Sequence, residues 1–185
     1  MDLRRAVPRT FGETADGGRA GTGSTGFDAG MLLLRLVVGW TMVAHGAQKL
    51  LGWFGGPGFA GTARLLEQMG FRPGELHAML SGGAELGGGL LLALGLLTPL
   101  GAAAVTGSML AATTTVTWQN GFISAKGGYE YNLVLIASAL AVAFAGPGRL
   151  SLDRALGLPL SGWRWGLGAA VLAVVTAAVV VSLRR

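Results

Sequence analysis

AGMLLLRLVVGWTMVAHGAQKLL, Ala29 to Leu51, is long and apolar enough to cross a bilayer as a helix, yet it carries Arg35, His45 and Lys49. An ionisable group in hydrocarbon costs several kcal/mol unless it is paired or faces a wet cavity, so each of the three is a functional-site candidate by default. The combination recurs along the chain. Five apolar stretches are separated by loops, with Glu85 inside the second and Glu130 at the lip of the fourth.

Composition agrees with a helical membrane protein. Hydrophobic residues make up 51% and charged ones only 12%, with 33 glycines, which lies outside the usual range of a soluble domain. The absence of cysteine excludes disulfides, thiolate chemistry, iron–sulfur ligation and covalent haem attachment, so any redox chemistry has to be borrowed. Net charge is +5, but the basic residues are scattered over segment ends and loops, which argues against nucleic acid and for a topological role.

Residues 1–27 are rich in Gly, Arg, Thr and Asp and lack an apolar run, so they read as a flexible cytoplasmic tail. Asp28 is a plausible N-cap for the first spanning helix, Ala29 to Leu51. Gly52 to Gly58 is turn material with Trp53 and Phe54 at headgroup level, and Ala60 to Met69 suits a short interfacial helix. Pro73 opens the second helix, which runs to Leu97. Thr98-Pro99 allows only a tight turn before the third, Leu100 to Trp118. The fourth runs from Tyr129 to Ala145 and stops at Gly146-Pro147-Gly148, and the fifth, Trp163 to Leu183, has no charge within its span. The expected architecture is all-α: a membrane four-helix bundle over residues 28–155, then a linker and an added fifth C-terminal transmembrane helix over 156–185.

Orientation follows from the basic residues. A cytoplasmic N-terminus puts Arg4, Arg5, Arg9, Arg19, Arg149, Arg154 and Arg164 inside, against Lys49, Arg64, Arg72, Lys126, Arg184 and Arg185 outside. The margin is one residue, and it widens when the fifth helix is set aside. The C-terminus is then outside.

At about 100° per residue, Arg35, His45 and Lys49 fall within roughly an 80° arc, so one neighbour should face all three. Glu85 lies about 18 Å along the second helix from Pro73, at mid-depth and near the level of His45. Gln119, Asn120 and Glu130 flank the loop between the third and fourth helices. These groups are expected to converge on one pocket in the outer half of the membrane. Arg35 has two readings, snorkelling to the headgroups or burial with a partner, and for Lys49, close to the interface, snorkelling is the simpler one. Glu85 is too short and too deep to snorkel, so it should be paired with His45 or Arg35, either as a functional group or as a device fixing helix register. Small residues on both sides of Glu85, Ser81 to Ala84 and Gly87 to Gly89, permit close helix approach, although Gly and Ala abound throughout. His45 and His77 are too few for zinc, and their different helices and depths argue against a bis-histidine haem. Trp118, Phe122, Tyr129 and Tyr131 read as the outer interfacial belt, and their ring faces would also suit a quinone headgroup.

Five runs in order, HGAQKLLGWFGGPG (His45 to Gly58), AELGGGLLLALGLLTPL (Ala84 to Leu100), NGF (Asn120 to Phe122), GGYEYNL (Gly127 to Leu133) and GPGRLSLD (Gly146 to Asp153), resemble the DoxX family. The resemblance covers residues 30 to 155. It implies a four-helix bundle of the bacterial cytoplasmic membrane, similar to quinone-reducing membrane subunits of a thiosulfate oxidase and to members of redox complexes. It carries the family pattern onto Arg35, His45, Lys49, Glu85, Asn120 and Glu130. Two departures stand out: many relatives have a histidine near the position of Gln119, and they end after the GPGR-SLD segment, so the fifth helix suggests docking onto a partner.

Three roles follow as expectations. The first is a non-catalytic or quinone-associated subunit of a membrane oxidoreductase, bound to lipids and to other membrane subunits or further copies of itself. The second is a quinone site in its own right, with His45 and Glu85 exchanging protons and Lys49 or Arg35 stabilising the reduced form. The third is a small-solute or proton pathway, disfavoured by the lack of inverted repeats. No residue is assigned as catalytic and none as a metal ligand.

Overall fold

The computed structural model describes residues 20–184, with side chains from Thr25, and the regular elements among them are all helical. Helix α1 spans Ala20–Leu51, α2 Gly58–Gln68, α3 Gly74–Leu94, α4 Thr98–Ala112, α5 Glu130–Ala145, α6 Leu152–Ala155 and α7 Trp163–Ser182. Beyond Ala112 the α4 rod continues through a π turn, Thr113–Thr117, and a 3-10 turn, Trp118–Asn120. Residues 1–19 of the expected tail lie outside the described residues. The rest of that tail is helical, because α1 begins about two and a half turns earlier than expected. Asp28 is therefore inside the helix and not at its cap. Its carboxylate accepts the Arg149 backbone N–H at 2.7 Å and the Arg149 Nε–H, which ties α1 to the chain leaving α5.

The helix ends follow the punctuation in the sequence. Pro73 is the N-cap of α3, Gly95 closes it with φ +63°, and Pro99 sits in the first turn of α4. Gly146, at φ +87°, stops α5.

The four helices α1, α3, α4 and α5 form a closed ring in which each packs on the next and α5 returns to α1. Their core includes Val38 and Met42 from α1, Leu92 from α3, Val105 and Met109 from α4, and Leu135 and Val142 from α5. Helix α7 lies outside the ring against α4 and α5, through a buried line of Gly166, Ala169, Ala173 and Ala177. Three segments, Thr25–Leu51, Thr98–Asn120 and Trp163–Ser182, are long and apolar enough to cross a membrane. Helix α5 is apolar but shorter, and α3 is long enough in its 21 residues but carries Glu75, His77 and Glu85. Large side chains such as Leu33, Val37 and Trp40 on α1 and Val171, Val174 and Val175 on α7 point outward, as lipid-facing surfaces require.

Glycine sets the distance between α1 and α3. A Cβ on Gly39 would stand 2.6 Å from the Gly89 carbonyl oxygen, and one on Gly89 would stand 2.6 Å from that of Gly39. Gly46 meets the backbone of Leu86 and Gly82 meets Leu50, so the two backbones touch along much of their length. Gly39→Ala should cost about 1–3 kcal/mol by forcing the pair apart. Gly83→Ala, where an added Cβ meets nothing within 4 Å, should be neutral or gain up to about 1 kcal/mol from helix propensity. Thermal unfolding in detergent would compare the two, and similar losses would refute the seam.

Candidate functional site

The α1–α3 seam brings Lys49 to Glu85. Lys49 Nζ lies 2.5 Å from Glu85 Oε1 and donates to Ser81 Oγ at 2.9 Å, and Ser108 Oγ of α4 also donates to Oε1 at 2.9 Å. The Glu85 side chain is 1% exposed and that of Lys49 is 29% exposed, so the carboxylate is sealed while the ammonium retains access to a cavity. Glu85 Oε2 has no hydrogen-bond partner. Thr62 of α2 donates to the Lys49 carbonyl at 2.9 Å, which seats the short helix over this end of the bundle.

That cavity is a cleft of about 540 Å³, within the range of small-molecule sites. Helix α4 is its floor, where Ala103, Ala104, Gly107, Ala111 and Ala112 are too small to fill the space. Helix α3 forms one wall, α7 the other, and α2 with the following loop forms a roof over one end. From Leu100 to Thr115 the floor extends about 22 Å. The lining is mostly apolar. Its polar groups include Lys49, Ser81, Ser108 and His77, and the His77 side chain is 3% exposed with Nδ1 unpartnered and its ring 5.1 Å from that of Phe71.

Arg35 belongs to a different place. It is fully buried beside the α3–α4 turn, where it donates to the carbonyl of Ala93 at 3.5 Å and to that of Leu150, with Asp153 as its electrostatic counterpart. Asp153 in turn accepts the backbone N–H groups of Leu97 at 2.7 Å and Thr98 at 2.9 Å, and the Thr98 hydroxyl at 2.6 Å. It thus caps α4 from a distant part of the chain, replacing the side-chain cap that Leu97 cannot supply.

The expected single pocket is therefore three separate loci. Lys49, and neither Arg35 nor His45, is the partner of Glu85, and it is bonded instead of snorkelling. His45 is level with Glu85 but immediately precedes Gly46, which abuts α3 at Leu86, so it is turned about 100° away and meets Tyr131 of α5, ring centroids 6.1 Å apart. Gln119, Asn120 and Glu130 organise the loop between α4 and α5. Gln119 Nε2 faces the Val116 carbonyl at 3.4 Å, Asn120 Nδ2 donates to the Gly127 carbonyl at 3.1 Å, and Glu130 Oε2 accepts the Ser124 N–H at 3.0 Å. Trp118 stacks on Tyr129 at 5.1 Å beside them. Sequence reasoning missed Ser108, Asp153 and the buried Asn132, whose Nδ2 donates to the hydroxyls of Thr113 and Thr117 across the π turn. Ser81 was within reach, since it precedes Glu85 by one helical turn.

Residues 30–118 match the family model DoxX. No curated protein and no solved structure matches the chain. The matched segment contains α2 and α3 entire, most of α1, and α4 with its π turn, hence both members of the Lys49–Glu85 pair. With its lipid-facing helices, the chain is a multi-pass, all-α membrane protein, and its residues 30–118 form a segment that matches the DoxX family model.

Proposed function

We propose that this chain binds a membrane quinone in the cleft and serves as the quinone-associated subunit of a membrane oxidoreductase. The observation that carries the reading is the shape and polarity of the cleft: a long apolar trough whose polar lining includes Lys49, Ser81, Ser108 and His77, with the Glu85 carboxylate sealed behind Lys49. An isoprenoid-type tail suits the alanine floor, and a carbonyl-bearing ring suits the polar groups.

A bound quinone would supply two-electron, two-proton redox chemistry. Lys49, held by Ser81 and Glu85, can turn one ammonium N–H toward a carbonyl oxygen and offset negative charge there. His77 Nδ1 offers a second hydrogen-bonding atom from α3. Glu85, with Oε2 unpartnered, has an oxygen on which to hold a proton close to Lys49. A chain without cysteine has no thiolate to ligate an iron–sulfur cluster, so in this reading electrons come from a partner subunit. The reading keeps the bacterial inner membrane and the orientation drawn from the basic residues, N-terminus cytoplasmic and C-terminus outside, which puts the α2 roof in the outer leaflet.

The test is a titration of the chain in lipid nanodiscs with decylubiquinone, following tryptophan quenching. Saturable binding is expected, weakened about tenfold or more in Lys49→Met, equivalent to about 1.4 kcal/mol. Quenching no different from that of a control membrane protein, or unchanged by Lys49→Met, would remove the quinone reading.

A further inference from the structure

The wall opposite α3 comes from a helix outside the matched residues 30–118. Leu172, Thr176, Ala177 and Val180 of α7 all face the cleft. The helix can reach it because α4 offers glycine at the crossing: a Cβ on Gly107 would stand 2.9 Å from Thr176 Oγ1 and 3.3 Å from the Ala173 carbonyl oxygen. Its far end is fastened to the roof, where Arg184 Nε donates to the Met69 carbonyl at 2.8 Å and Arg184 bridges Phe71. Met69 and Phe71 are themselves cleft residues. The C-terminal helix is thus seated on the floor of the cleft and clasped to its roof.

We infer that α7 is the tail-recognition wall of the ligand site: Ala177 and Val180 contact the apolar tail of the bound molecule, and the Arg184–Met69 clasp slows its exit. The ligand class is an amphiphile with a hydrogen-bond-accepting head, which Lys49 meets, and an apolar tail laid between α4 and α7. For a quinone, this inference rests on the reading above. The wall itself does not, since it selects for the tail and not for the ring. Head recognition comes from the family-matched helices and tail recognition from the added one, so the two can be altered separately.

The experiment is native mass spectrometry of the full chain released from detergent, with three probes: decylubiquinone, the same ring without its tail, and lauric acid. Ala177→Phe places a ring in the cleft and should weaken decylubiquinone and lauric acid at least tenfold while changing the tailless quinone less than threefold. Val174→Phe, on the outward side of α7, should change none of them. Arg184→Ala should speed release of the tailed probes about fivefold. Val180→Trp gives the same reading if Ala177→Phe does not fold. Lauric acid bound by the wild type and lost in Ala177→Phe, with no decylubiquinone bound, would sink the quinone reading and uphold the wall. Tailed probes retained at wild-type affinity by folded Ala177→Phe or Val180→Trp would overturn the wall whatever the ring does. A wild type that binds no probe would overturn both.

Discussion

Asp153→Ala should be the most damaging single substitution in the described chain, at about 3–5 kcal/mol, because it strands a buried arginine and uncaps a buried helix at once. The carboxylate is 1% exposed and accepts from Leu97 N–H, Thr98 N–H and the Thr98 hydroxyl, while Arg35, with no exposed surface, faces it. Removing it leaves those donors with no acceptor and little access to water. Arg35 keeps its carbonyl contacts to Ala93 and Leu150 but loses the opposite charge. Asp153→Asn retains one acceptor oxygen and should cost roughly half as much. Unfolding by graded denaturant in detergent measures both, and an alanine variant within about 1 kcal/mol of wild type would show that the latch does not hold α4.

The second large effect concerns Lys49 and Glu85, and its asymmetry is the informative part. Lys49→Met leaves a carboxylate sealed in the bundle with only Ser108 as a donor, and should cost about 2–3 kcal/mol. Glu85→Leu should cost less. The freed ammonium keeps Ser81 and can lean into the cleft, where Lys49 is already partly exposed, and the leucine fills the space with apolar volume. Lys49→Met combined with Glu85→Leu should then be no worse than Lys49→Met alone. A double-mutant cycle reads the coupling directly, and losses that simply add to within about 0.5 kcal/mol would mean the pair does not interact.

The bundle was legible because its signals are local. Pro73, Pro99 and the Gly146-Pro147-Gly148 stop mark helix ends to within a few residues, and the rise per residue places Glu85 level with the His45–Lys49 turn of α1. Azimuth was harder. Three basic residues on one arc can be assigned to one neighbour only if the face taken by that neighbour is known, and here Gly39 and Gly46 fix it through contacts with Gly89 and Leu86 that no single-helix pattern reveals. Asp153 is more remote still: it acts on residues 55 and 56 positions earlier, and nothing around it hints at a helix start. Ser108 sits in a run of small residues and shows its role only when α3 is laid beside it.

The two paired cations of α1 also differ in when their partners arrive. A carboxylate at the centre of a helix costs about 2.5–3.5 kcal/mol on the insertion scale, and α3 is not among the helices apolar enough to span by themselves. During synthesis Lys49 enters the bilayer ahead of Glu85, so the ion pair can form as soon as α3 meets α1, and the hairpin gains its second leg together with its countercharge. Arg35 has to wait. Its counterpart emerges only after α4 and α5 have been made, so the closing of the ring and the neutralisation of Arg35 belong to a single late event in biogenesis. A ribosome stalled before Asp153 would hold a nascent chain whose head-binding pair is already in place and whose far end is still electrically open.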